Sequence, residues 1–158
     1  MTVIELTNTE FSVYTNLPDG FSENSRVRSD LDELRCTKHT FDIFFDDPAK
    51  EVFCSGNPVS SLRGDTQPYY VLAFLLKSVG ETLPWRQLAD RLEERYEREF
   101  DNREIANLMG QLRAKHPELH RTISTYRDSS RGANVRRGYS IAKITKTCLI
   151  VGKDSSIS

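Results

Sequence analysis

Pro84-Trp85-Arg86-Gln87-Leu88-Ala89-Asp90-Arg91-Leu92 and, after a polar break, Arg103-Glu104-Ile105-Ala106-Asn107-Leu108-Met109-Gly110-Gln111-Leu112-Arg113-Ala114-Lys115 decide how this chain is read. Trp85, Leu88, Ala89, Leu92 and Tyr96 recur at i, i+3, i+4, i+7 and i+11, one apolar stripe on a helix. Ile105, Leu108, Met109 and Leu112 repeat the pattern. Asp101 stands three positions before Glu104, the spacing of a capping box at the start of the second helix. His116-Pro117 stops that helix, because proline lacks the N–H that would continue the ladder. Two short helices joined by a few polar residues predict a helix-turn-helix. Two ordinary core helices of a small domain would read the same way, so the flanking elements decide.

Upstream, Tyr69-Tyr70-Val71-Leu72-Ala73-Phe74-Leu75-Leu76 is apolar on every side, which predicts a centrally buried helix. Asp65 or Thr66 caps it, Pro68 lies in its first turn, and Gly80 ends it. Before it, Phe41-Asp42-Ile43-Phe44-Phe45, Glu51-Val52-Phe53-Cys54 and Pro58-Val59-Ser60-Ser61-Leu62 alternate with turn residues, a small antiparallel meander. Downstream, Arg121-Thr122-Ile123-Ser124-Thr125-Tyr126 and Tyr139-Ser140-Ile141-Ala142-Lys143-Ile144 flank a polar segment bearing Arg127, Arg131, Arg136 and Arg137. That is a hairpin with a long arginine-rich tip, in which Tyr139 and Ile141 are expected to pair with Ile123 and Thr125 in an antiparallel arrangement. Residues 1–40 read as an irregular extension or arm, 41–146 as the domain, and 147–158 as a C-terminal strand and tail.

The 158 residues are 37% hydrophobic and 28% charged, a globular composition. No apolar run approaches the roughly 18 residues of a membrane span, and no signal peptide is visible. The expected location is therefore the cytoplasm. Cys36, Cys54 and Cys148 are odd in number and far apart, which argues against a disulfide framework. Cys36, His39, His116 and His120 lack the spacing of a common zinc finger, so no metal is expected. No phosphate-loop, nucleophile-elbow or paired-carboxylate pattern is present, and neither an enzyme activity, a cofactor nor a small-molecule substrate is expected. Net charge is -1, but residues 111–158 carry ten Lys/Arg and three Asp/Glu, leaving that third +7 and the rest -8. A basic face on a near-neutral protein is the pattern of a phosphate-binding surface.

The order meander, buried helix, helix, turn, helix, arginine-tipped hairpin resembles the C-terminal DNA-binding domain of OmpR/PhoB-type transcription regulators. The resemblance covers about residues 41–144. It rests on Gly56-Asn57-Pro58-Val59, Tyr70-Val71-Leu72 with Leu75-Leu76, Gly80-Glu81 and Arg91-Leu92. Gln111-Leu112-Arg113-x-Lys115, Ile123-x-Thr125 and Arg137-Gly138-Tyr139 complete it. Leu6-Thr7-x-Thr9-Glu10-Phe11 also looks like the start of that family's first helix, but no second and third helix of suitable length follow it. The chain departs from the family in lacking a receiver domain ahead of the domain, in its longer wing tip, and in a third helix poor in base-reading side chains. Gly110 inside that helix points to close packing or close approach there.

The resemblance implies an α+β fold: a winged helix-turn-helix with a small N-terminal antiparallel sheet, three helices and a C-terminal β-hairpin wing. It implies a sequence-specific regulator of transcription that binds double-stranded DNA. Arg103, Asn107, Gln111, Arg113 and Lys115 on the third helix would meet bases or flanking phosphates in the major groove. Arg127, Arg131, Arg136 and Arg137 would hold the backbone or reach the minor groove. The 94–101 loop would face RNA polymerase, and the arm could dimerise the protein. The competing expectation is a winged helix used only for protein–protein contact, which the acidic first two-thirds would suit.

Overall fold

Residues 67–76 have no polar face to turn toward water, so a helix built from them must be wrapped on all sides. The computed structural model of the chain, which describes residues 2–5, 11–17, 31–62, 64–128, 135–152, 155 and 157, shows how. It is a mixed α+β fold with five α-helices and two sheets among those residues. The wrapped helix is α2 (Gln67–Leu76), buried at every position from Pro68 to Leu76. Thr66 is its N-cap residue, and Asp65 accepts the Tyr70 hydroxyl hydrogen bond at 2.8 Å. Gly80 follows the helix at φ 85°, a left-handed conformation that suits glycine, and its N–H donates to Ile141 O at 2.9 Å.

One side of α2 packs on a six-stranded sheet. Its strands are β1 (Thr2–Glu5), β2 (Phe11–Asn16), β3 (Ile43–Asp46), β4 (Glu51–Cys54), β5 (Asn57–Pro58) and β9 (Thr147–Gly152). They lie in the order β1-β2-β9-β3-β4-β5. The sheet is thus larger than the small antiparallel meander expected, and it is mixed: β9 runs parallel to β3 and antiparallel to β2. Side chains alternate between its faces, as the pleat requires. Ile43, Phe45, Val52, Cys54, Leu149 and Val151 join the core around α2. Phe44, Phe53, Cys148, Ile150 and Val13 form a second core on the other face. That face is covered by Phe41, Leu17 and the short helix α1 (Leu31–Arg35), through Leu31 and Leu34. Arg35 donates from Nε and Nη2 to the buried Asp46 at 2.5 and 3.1 Å, tying α1 to β3. Residues 11–16 and 31–35, expected within an irregular arm, are therefore built into the sheet and its cover. Residues 6–10 of the alternative family-like segment lie outside the described residues.

The other side of α2 meets α3 (Trp85–Tyr96) and α4 (Asn102–Arg113). Leu88, Ala89 and Leu92 of α3 and Ile105, Leu108, Met109 and Leu112 of α4 are buried, the stripes expected from their spacing. Glu97 ends α3 at φ 55°, and Phe100, in the five-residue link, is buried against Tyr96. Two helices more than the three expected are present, α1 and α5 (Pro117–Thr122). Pro117 does not only end the preceding helix. It stands in the first turn of α5, where its missing N–H costs nothing, while His116 Nδ1 accepts from Glu118 N at 3.0 Å. The second sheet, in the order β6-β8-β7, combines β6 (Leu83–Pro84) with the hairpin β7 (Ile123–Asp128) and β8 (Val135–Ile141). The antiparallel hairpin expected of Ile123, Thr125, Tyr139 and Ile141 forms, with Ile123 opposite Ile141 and Thr125 opposite Tyr139.

Candidate nucleic-acid interface

The start of α4 is set by its sequence. Asp101 Oδ1 accepts from Glu104 N at 2.8 Å, satisfying one of the orphan donors of the first turn. With its apolar stripe committed to the core, α4 turns Arg103, Asn107, Gly110, Gln111 and Ala114 to solvent, while Lys115 is half-buried. A Cβ built on Gly110 would meet no heavy atom within 4 Å, so close packing is not the reason for this glycine. Gly110→Ala should stabilise the protein by roughly 1 kcal/mol through helix propensity alone. A lowered urea midpoint would show that the site is not open.

The helix is fastened to the hairpin at both ends. Asn102 Nδ2 donates to Arg136 O at 2.9 Å, and Arg113 Nη2 donates to Thr125 Oγ1 at 2.6 Å. Arg113 is therefore half-buried and spent partly on the hairpin rather than pointing freely outward as Arg103 does. Its guanidinium also lies 5.8 Å from the Tyr139 ring centroid.

A β-bulge shapes the hairpin side. Tyr126 pairs with Gly138, but the next pair is Arg127 with Arg136, so the ladder skips Arg137. The extra residue sets which arginine stands opposite Arg127. Arg136 joins Arg127 on the side of Tyr139, while Arg137 Nε lies 3.5 Å from Asp128 Oδ2. Burial raises the Tyr139 phenol above its ordinary pKa, and Arg136, Arg113 and Arg127 act against that rise. Burial lowers the pKa of Arg113, and Arg127 pushes the same way. Of these guanidiniums Arg113 lies against the Tyr139 ring, and among the described residues none of Arg113, Arg127 and Arg136 has an ion-pair partner. Arg127 directly opposite Arg136 is a repulsive cross-strand pair. Arg113 Nε and the Tyr139 hydroxyl are buried with no hydrogen-bond partner. Buried polar atoms left unpaired cost about 1–3 kcal/mol each, and Tyr96, Thr145 and Thr147 elsewhere in the fold share the feature.

The remaining expected site residues divide. Arg131 lies outside the described residues. In the 94–101 segment, residues 94–96 close α3, and Phe100 N donates to Glu93 Oε1 at 3.1 Å. Arg98 Nη1 donates to Glu104 Oε2 at 2.7 Å, leaving Glu97 and Glu99 exposed at the turn. Tyr139, Asn102 and Thr125 join the site without having been expected there. Their alternation on the hairpin and the polar first turn of α4 are the sequence signals that point to them. Among the described residues, no three His, Cys, Asp or Glu side chains are placed to hold a metal ion. None of their helices is long and apolar enough to cross a membrane. No family model matches the sequence, and no curated protein or solved structure matches it either.

Proposed function

We propose that this chain is a winged helix-turn-helix protein of the OmpR/PhoB type that binds double-stranded DNA in a sequence-specific manner and regulates transcription in the cytoplasm. Helix α4 enters the major groove with Arg103, Asn107 and Gln111 toward the bases, and β7–β8 is the wing. The observation that carries this reading is the Arg127–Arg136 pair facing each other across the hairpin, with no ion-pair partner among the described residues, beside the exposed polar face of α4. A cluster of uncompensated guanidiniums is repulsive in the free protein and is relieved by an anionic partner; a row of phosphates supplies one. Gly110, open to solvent, lets the α4 backbone come close to that partner.

Asn107→Ala and Gln111→Ala should each reduce the ratio of specific to non-specific binding by about 1–3 kcal/mol, the worth of one bidentate pairing with adenine. Binding to random duplex should barely change. The preferred site would come from selection among random duplexes, and retention of the full ratio by both variants would remove α4 from base reading.

The charge of -8 carried by residues 1–110 favours a second reading, a protein-binding module. On that reading Glu97 and Glu99 face a partner, RNA polymerase or a second copy of the chain included. Heparin chromatography separates the two: a phosphate binder elutes late in salt despite its net charge of -1.

A further inference from the structure

Tyr126 is one of two large apolar side chains left exposed among the described residues, at 57%. Its exposure is built in. It stands on the face of β7 away from Arg113 and the Tyr139 ring, and its cross-strand partner is Gly138. A Cβ at Gly138 would come within 2.5 Å of Leu83 O, so the approach of β6 forbids a side chain there. Opposite the ring, the hairpin can therefore offer no side chain to cover it. On one side the flanking outward residues, Ser124 and Ser140, are too small to do so, and on the other, past the bulge, Asp128 stands on the same face with Arg137 Nε 3.5 Å from its carboxylate. The bulge begins immediately after Tyr126, so the aromatic ring and the Arg127–Arg136 pair lie next to each other on opposite faces of one ribbon.

From this placement we infer that the wing stands edge-on across a DNA groove and grips both strands. This deepens the duplex-binding reading above and rests on it. Arg127 and Arg136 hold phosphates of one strand, and the Tyr126 ring packs on the deoxyribose of the strand across the groove. The unpaired arginines on the ribbon's other face favour a nucleic acid over an ordinary apolar protein surface, while Asp128 on the ring's own face is offset by Arg137. A ring on a sugar releases no condensed counterions, so its contribution is insensitive to salt, unlike that of its arginine neighbours.

The test is a salt titration of wild type, Tyr126→Ser and Tyr126→Phe on one selected duplex, with thermal melting of each protein. Tyr126→Ser should bind about tenfold more weakly at every salt concentration. Its slope of log K against log salt should equal that of wild type, and Tyr126→Phe should restore affinity. Melting temperatures should agree, since the side chain is exposed. Wild-type affinity in Tyr126→Ser overturns the inference while leaving duplex binding intact. An equal loss in Tyr126→Phe, with the slope unchanged, shows that the hydroxyl and not the ring makes the contact, and also overturns it. A change confined to self-association in sedimentation assigns the ring to a protein contact and overturns it. No duplex binding by wild type removes the parent reading, and this inference with it.

Discussion

A chain ending at Lys146 should not fold. It lacks β9, whose residues from Thr147 to Val151 are buried and which stands between β2 on one side and β3 on the other. Leu149 and Val151 are removed from the core around α2, Cys148 and Ile150 from the core beneath α1. Ile157 goes too; it is fully buried, and its carbonyl accepts from Lys77 Nζ at 2.9 Å. Full burial of one Val, Leu or Ile is worth about 1.5–3 kcal/mol, and a domain's total stability is only about 5–15 kcal/mol. The truncated protein should show no cooperative thermal transition by circular dichroism. A transition at the full-length melting temperature would mean that α2, α3, α4 and the β7–β8 hairpin stand without the six-stranded sheet.

Replacing Arg127 and Arg136 together by alanine should weaken binding to every duplex alike. Each guanidinium withdrawn from a phosphate should lower the slope of log K against log salt by roughly 0.9, so the double variant should be flatter by about 2. Between about 50 and 200 mM salt such pairings account for large changes in affinity, which makes this the strongest effect expected on binding. Stability should hold or rise slightly, because the substitution removes two like charges facing each other across the ladder. Arg136→Ala with Arg137→Ala should flatten the slope by only about 1, since Arg137 is turned toward Asp128. Equal slopes in wild type and the Arg127/Arg136 variant would take this pair out of the interface.

The helix pair is legible because period and punctuation agree: the apolar stripes of α3 and α4 are buried, and Asp101 caps as its distance from Glu104 requires. The hairpin register is legible for the same reason, since Ile123, Thr125, Tyr139 and Ile141 alternate with small or polar residues. The place of β9 is not. Cys148-Leu149-Ile150-Val151 is a continuous apolar run, which is how a strand covered on both faces reads, but nothing local says that its partners lie at residues 11–16 and 43–46. Arg113 carries a weaker signal. It stands one helical turn after Met109, at the edge of the buried stripe, and a half-buried guanidinium follows. The bulge has no signal of its own. Arg136 and Arg137 are the same residue type, and only the three-dimensional ladder says which of them stands opposite Arg127.

The position of β9 also sets when the protein can come into being. Asn16 Nδ2 reaches Thr145 O at 2.7 Å across 129 positions of chain, and β2 next to it has no hydrogen-bonded neighbour on that side until β9 arrives. Contacts so distant in sequence raise contact order and slow folding. During synthesis, the helices and the hairpin leave the ribosome before the strand that completes the sheet beneath them. Until β9 emerges, the sheet-facing side of α2 and the edge of β3 stay uncovered. The nascent chain is then exposed to aggregation and to chaperones, and α4 and the hairpin have no completed body to hold them.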